Sequence, residues 1–288
     1  MVLRAPEREG RPMTKRLIGA LAAAAMAVLL ASCILLDNPE GEEPGWRTFP
    51  GSESPGPIPE FRRTVPFAPG GTLTLENDTG DVSVTGWDRE EVEIVARAAV
   101  VEAGPEGAAR PYRIRKVAPD VEIKETETGL LVRTRSFEGP GEAPAVDYEI
   151  KVPQDVVLQP IRMSDGDLAV ADVYGRIEAA VDQGDCSIAN FSGSLKVNVG
   201  DGNADVEVLD LREGDEVSVT SRQGDIVLRL EAGIAASVEA NAPHGGVSSD
   251  FDLGIRLPAP SVKATIGPGG ASIILMASNG RVRIIKTV

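Results

Sequence analysis

One histidine and two cysteines among 288 residues leave little material for catalysis or metal binding. His244 is the lone imidazole and sits in the turn-like run Pro243-His244-Gly245-Gly246. A zinc site built on several histidines is therefore excluded, and a Ser-His-Asp triad would have only this one base. No G-x-S-x-G elbow is present, and no phosphate loop or dinucleotide fingerprint follows a strand-like run. The expected catalytic, cofactor-binding and metal residues are accordingly none. Aromatic residues make up only 4% of the chain, so the core must be built from small β-formers such as Val, Ile and Ala. Basic residues are also scarce, 29 against 44 acidic, for a net charge of -15. That balance argues against nucleic acid, whose binding needs clustered Lys and Arg, and against electrostatic docking on anionic lipid.

The two cysteines have different surroundings. Cys33 follows Lys15, Arg16 and the uncharged apolar run Leu17–Leu30, which is shorter than the roughly 20 residues a membrane helix needs. Leu30-Ala31-Ser32-Cys33 resembles the bacterial lipobox. The resemblance implies cleavage before Cys33 and lipidation of its thiol, with residues 1–32 as the signal peptide. Ile34 in place of Asp implies, in a diderm host, the outer membrane. Met13 opens a better-proportioned signal than Met1, so Met13 is the expected start. The leader carries a net charge of +3, which leaves -18 on the mature part. Once Cys33 is a thioether, Cys186 has no partner, so no disulfide framework is expected.

Residues 33–62 are rich in Pro, Gly, Glu and Ser and read as a tether, since they cannot bury enough apolar surface to offset their ordering entropy. Trp46 and Phe49 within it read as incidental aromatics. Residues 63–159 alternate apolar and polar, as in Thr72-Leu73-Thr74-Leu75 and Val146-Asp147-Tyr148-Glu149-Ile150-Lys151-Val152, the pattern of half-buried strands. Gly104–Pro111 and Glu138–Pro144 read as loops.

From residue 160 to 288 the chain repeats itself. The register runs Asp165-Gly166-Asp167-Leu168, Gln183-Gly184-Asp185-Cys186, Asp201-Gly202-Asn203-Ala204 and Gln223-Gly224-Asp225-Ile226. Its glycines stand 18, 18 and 22 residues apart. Weaker copies follow at Gly245-Gly246-Val247, Gly269-Gly270-Ala271 and Asn279-Gly280-Arg281. A second register of glycines, Gly175, Gly193, Gly214 and Gly233, lies between them. Each repeat is thus strand, glycine turn, strand, glycine turn. One copy cannot close a core, but stacked copies can. The expected fold is an all-β parallel solenoid of about six or seven coils, roughly 30 Å long at about 4.8 Å per coil. The alternative is an antiparallel β-sandwich.

The segment GGTLTLENDTGDVSVTGWD, the strand DYEIKVP and the repeated G-D-[apolar]-x-[apolar] turns resemble the putative-adhesin family of bacterial envelope proteins, over about Thr64–Val288. The resemblance implies a β-helix-like fold and no established activity. The chain departs from the family pattern in the Gly104–Pro111 loop and in the missing Asp after Gly246 and Gly270.

Stacking would align Asp167, Asp185, Asn203 and Asp225 about 4.8 Å apart. One reading is a calcium ladder holding Asp167, Asp185 and Asp225. The plainer reading is that each Asp accepts a turn N–H. Cys186 aligns with Leu168, Ala204 and Ile226, which points it into the core. The outward basic residues Arg162, Lys196, Arg229, Arg281 and Arg283 are scattered along the repeat. The expected function is a membrane-anchored envelope lipoprotein, not an enzyme, whose solenoid binds a protein or glycan ligand. The alternatives are an envelope-stress or regulatory sensor and a polysaccharide-processing β-helix enzyme.

Overall fold

The computed structural model describes residues 59–103, 112–135, 143–254 and 256–287. They form strands joined by turns, with no helix among the described residues. In chain order the first strands are β1 (Glu60–Pro66), β2 (Thr72–Thr79), β3 (Val82–Trp87), β4 (Glu91–Ala103) and β5 (Tyr112–Val117). Next come β6 (Val121–Glu125), β7 (Gly129–Thr134), β8 (Ala145–Pro153), β9 (Val157–Asp165) and β10 (Leu168–Ala171). The repeat continues as β11 (Tyr174–Gln183), β12 (Cys186–Asp201), β13 (Ala204–Asp210), β14 (Glu216–Gln223) and β15 (Ile226–Glu231). The last are β16 (Ala236–Asn241), β17 (Val247–Ser249), β18 (Ser261–Ile266), β19 (Ala271–Asn279) and β20 (Val282–Thr287).

The strands build two facing parallel ladders. One runs β7-β2-β9-β11-β12-β14-β19-β16. The other runs β8-β3-β10-β12-β13-β15-β20-β17. Strand β12 belongs to both: its first half pairs with β10 and β13, its second half with β11 and β14. The fold is the expected parallel solenoid, and each coil has two faces. The strands before residue 160 join these same ladders, so the stack continues across that position. Antiparallel strands close the ends: β6 on β7, β18 on β16, and β4 on β8, with β1 and β5 on β4. Strand β1 opens at Glu60, inside the segment read as tether, because Val65 is buried and Phe61 packs on the core.

The core is the slab between the two ladders. Inward positions repeat from coil to coil, as in Leu73-Leu158-Ile177-Leu195-Val217-Ile273-Val238, all at most 2% exposed. The opposing row is Tyr148-Val82-Leu168-Cys186-Ala204-Ile226-Val282-Val247. Each such aliphatic burial contributes about 1.5–3 kcal/mol. Two polar groups stand at inward positions, Asn77 and Ser221, whose hydroxyl donates to the Gly202 carbonyl at 3.1 Å. Asn77, 3% exposed, donates from Nδ2 to the Val146 and Gly80 carbonyls at 2.9 and 3.2 Å. Its Oδ1 accepts from Thr134 Oγ1 at 2.9 Å, and Thr134 meets the Tyr148 hydroxyl at 2.8 Å, so the network is satisfied.

Coil order departs from chain order at both ends. The β7/β8 coil lies outside β2/β3. The last coil, β19/β20, lies between β14/β15 and β16/β17. The physical reason lies in the turns. Asn279-Gly280-Arg281 keeps the spacing of Gln223-Gly224-Asp225, and β20 continues the ladder of β15 residue for residue. The Pro243–Gly246 turn departs from that form, so the β16/β17 coil takes the outer place. Gly270 also changes assignment. It precedes β19, whose Ser272 pairs with Glu216, and so belongs to the second glycine register and not the first.

Candidate functional site: the turn ladder and the Tyr174 recess

At the first glycine register the aspartates act on the neighbouring coil. Asp81 Oδ1 accepts the Asp167 amide at 2.9 Å, and Asp167 Oδ1 accepts the Asp185 amide at 2.8 Å. Asp185 Oδ1 accepts the Asn203 amide at 2.7 Å, and Asn203 Oδ1 accepts the Asp225 amide at 3.0 Å. Asp225 Oδ1 takes the Arg281 amide at 2.8 Å, while Oδ2 takes the Arg281 guanidinium at 2.7 and 3.1 Å. Each Asx thus satisfies a turn N–H, but that N–H belongs to the next coil. Asn203 interrupts the run of carboxylates, and Arg281 ends it. The electrostatics follow position. The Arg281 fork beside Asp225 holds its carboxyl below the usual range. Burial pushes Asp81 up, and the charges of Asp147, Asp167 and Asp165 add to this, against the Asp167 amide. Among the described residues no group of three or more His, Cys, Asp or Glu is arranged to hold a metal.

The other residues singled out in the sequence do not converge on one place. Cys33 lies outside the described residues, as do Trp46 and Phe49. His244 is exposed, with Nδ1 2.9 Å from the Ser278 carbonyl. Arg162 pairs with Glu76 at 3.4 Å, Lys196 with Glu178 at 3.3 Å, and Arg229 with Asp205. These are exposed pairs between adjacent coils, worth roughly 0–1 kcal/mol each.

Cys186 is 1% exposed and stands in the core row between Leu168 and Ala204. Burial, and secondarily Asp185, pushes its thiol from the ordinary 9.0 up to about 12. Burial likewise pushes the Tyr148 hydroxyl from 10.0 to about 12, against the Thr134 hydrogen bond. Both folded-state values are raised, so the unfolded chain ionises first. The Cys186 contribution is full below pH 9 and the Tyr148 contribution below pH 10, and each is lost as pH rises towards 12, by about 1.4 kcal/mol per unit. Urea midpoints should drop between pH 8 and 10.5, and Cys186→Ala should flatten that drop. An equally steep fall in the variant would contradict this.

A recess of about 310 Å³ opens at the second glycine register, lined by Asp155, Tyr174, Gly175, Arg176, Ser192, Gly193, Ser194, Asp210, Arg212 and Asp215. Its floor is backbone. A Cβ on Gly193 would lie 2.1 Å from the Gly175 carbonyl oxygen, so only glycine fits there. Its far wall comes from the 22-residue step between Gly202 and Gly224, whose longer connection between β13 and β14 carries Arg212. Asp215 fixes that wall. Its Oδ2 accepts the Arg212 amide at 2.8 Å, and its Oδ1 accepts Ser194 Oγ at 3.2 Å. Tyr174 is 41% exposed. The side chains of Asp155, Tyr174, Arg176, Asp210 and Arg212 make no hydrogen bond or ion pair among the described residues. The sequence alone does not disclose this recess. Its signals were the 22-residue step and a tyrosine ahead of a register glycine.

Solved structures similar to the chain include a "putative cell adhesion protein" from Clostridium sporogenes, 14% identical, covering 79% of this chain and 99% of that one, at a TM-score of 0.45. A "putative adhesin" from Bacteroides fragilis is 14% identical, with coverages of 79% and 97% and a TM-score of 0.32. No curated protein matches the chain significantly. The Toastrack DUF4097 family model matches residues 73–284, from the first inward leucine of β2 to the last inward isoleucine of β20. This all-β stack of parallel two-faced coils therefore belongs to the Toastrack DUF4097 family.

Proposed function

We propose that the chain is an exported lipoprotein that displays its Toastrack domain from a membrane as a non-catalytic interaction module. The observation that carries this reading is Leu30-Ala31-Ser32-Cys33 behind the charged and apolar leader. The burial of Cys186 supports it, because that thiol sits in the core and Cys33 is the only other one. Several of the domain's outward charges support it too, since they are engaged in pairs between adjacent coils. Two or three acyl chains on Cys33 hold the protein stably, at about 0.8 kcal/mol per buried methylene.

Cys33→Ser tests the anchor. The variant should appear in the soluble fraction or persist uncut, and it should lose incorporation of labelled palmitate. Membrane retention with normal cleavage in the variant would refute the anchor.

A further inference from the structure

We propose that the Tyr174 recess is a saccharide-binding site for a neutral oligosaccharide. This rests on the reading of the domain as an interaction module and names the class of ligand it takes. The recess combines three features that a polyhydroxylated ring uses. Tyr174 offers an exposed aromatic face, on which the C–H side of a sugar ring packs with little conformational cost. Arg176 and Arg212 offer planar forks of N–H donors, and Asp155 and Asp210 offer acceptor oxygens, the complement of vicinal hydroxyls. The lining glycines, Gly175 and Gly193, put no side chain into the recess.

These groups are uncommitted among the described residues, a state they share with Arg63 and Arg283 but not with most arginines of the stack. Elsewhere on the stack, Arg62, Arg97, Arg133, Arg162, Arg229 and Arg281 are each held by an acid. In the recess two guanidinium groups and two carboxylates share one small space without pairing. The longer connection that supplies Arg212 is itself braced, so this wall is in place before a ligand arrives.

The charge balance selects the ligand. Two arginines against three aspartates give the recess a formal charge of -1, and the whole chain carries -15, which disfavours polyanionic glycans. Its volume of about 310 Å³ is at the small end of ligand sites, which run from about 300 to 1,000 Å³, and suits the end of a chain more than a long segment.

The test uses the full mature chain on an immobilised panel of neutral hexose and N-acetylhexosamine oligomers, alongside uronate and sulfated oligomers. At least one neutral oligomer should bind. Tyr174→Ala and Arg212→Ala should each weaken that binding at least about tenfold, and Tyr174→Phe should retain it. All three variants should keep the parent melting temperature, because the side chains are exposed and unpaired. Three outcomes would overturn the site: no neutral oligomer bound at millimolar concentration, binding confined to the charged oligomers, or binding untouched by Tyr174→Ala and Arg212→Ala. Retention of the chain on whole cells separates this from the broader reading. Cell binding that survives both variants sinks the recess and leaves the interaction module standing, whereas a wild-type chain that binds neither panel nor cells sinks both.

Discussion

A chain stopped after Pro268 is expected to lose cooperative folding, although it lacks only β19 and β20. Those strands fill an interior slot. On one face β19 pairs with β14 on one edge and β16 on the other, and β20 does the same between β15 and β17. The deletion removes the buried Ile273, Leu275, Val282 and Ile284 and strips parallel partners from four remaining strands. At about 1.5–3 kcal/mol for each side chain, the direct loss is on the order of 10 kcal/mol, within the range of a whole domain's stability of about 5–15 kcal/mol. Urea titration followed by circular dichroism should show a broad, non-cooperative decay. A peptide spanning residues 269–288 added in trans should restore a transition. A sharp transition with the full-length urea slope would mean that β16/β17 can close directly on β14/β15, as chain order alone suggests.

Gly184→Ala should destabilise the stack by about 2–6 kcal/mol, combining strained backbone at about 1–3 kcal/mol with overpacking at about 1–3 kcal/mol. Gly184 sits at φ 135°, and an added Cβ would lie 2.1 Å from the Gly166 carbonyl oxygen. That oxygen belongs to the backbone of the adjoining coil, so relief requires the coils to part where the Asp167–Asp185 hydrogen bond holds them. Gly214→Ala is the matched comparison. Gly214 has φ 91° but open space around its Cβ position, so only the strain cost of about 1–3 kcal/mol applies. Equal losses in the two variants would show that the close approach between coils costs nothing.

The alternation of inward residues and the 18-residue glycine step were enough to read the solenoid and the burial of Cys186. What escaped depended on which copies touch. The Gly245-Gly246 copy precedes the Gly280 copy in the chain, and nothing local says that the later one sits further in. The decision rests on how well Arg281 completes the Asx row under Asp225, a comparison between distant segments. Asn77 escaped for a similar reason. In Glu76-Asn77-Asp78-Thr79-Gly80 it has the composition of a turn, yet it faces the core, because Thr134 and the Val146 carbonyl are there to receive it. The recess at Tyr174 was half visible: the longer step was counted, but its four extra residues carried no sign of which neighbours they would overhang.

The order of the coils also sets an order of assembly. The coils from β11 to β13 join segments 18 residues apart, whereas pairing β2 with β9 closes a loop of about 85 residues and seating β19 on β14 closes one of about 56, each at a higher entropic cost. Assembly is thus expected to begin at the middle of the stack and spread outward. The inner slot beside β14 then stays an open edge until the final strands of the chain arrive to fill it.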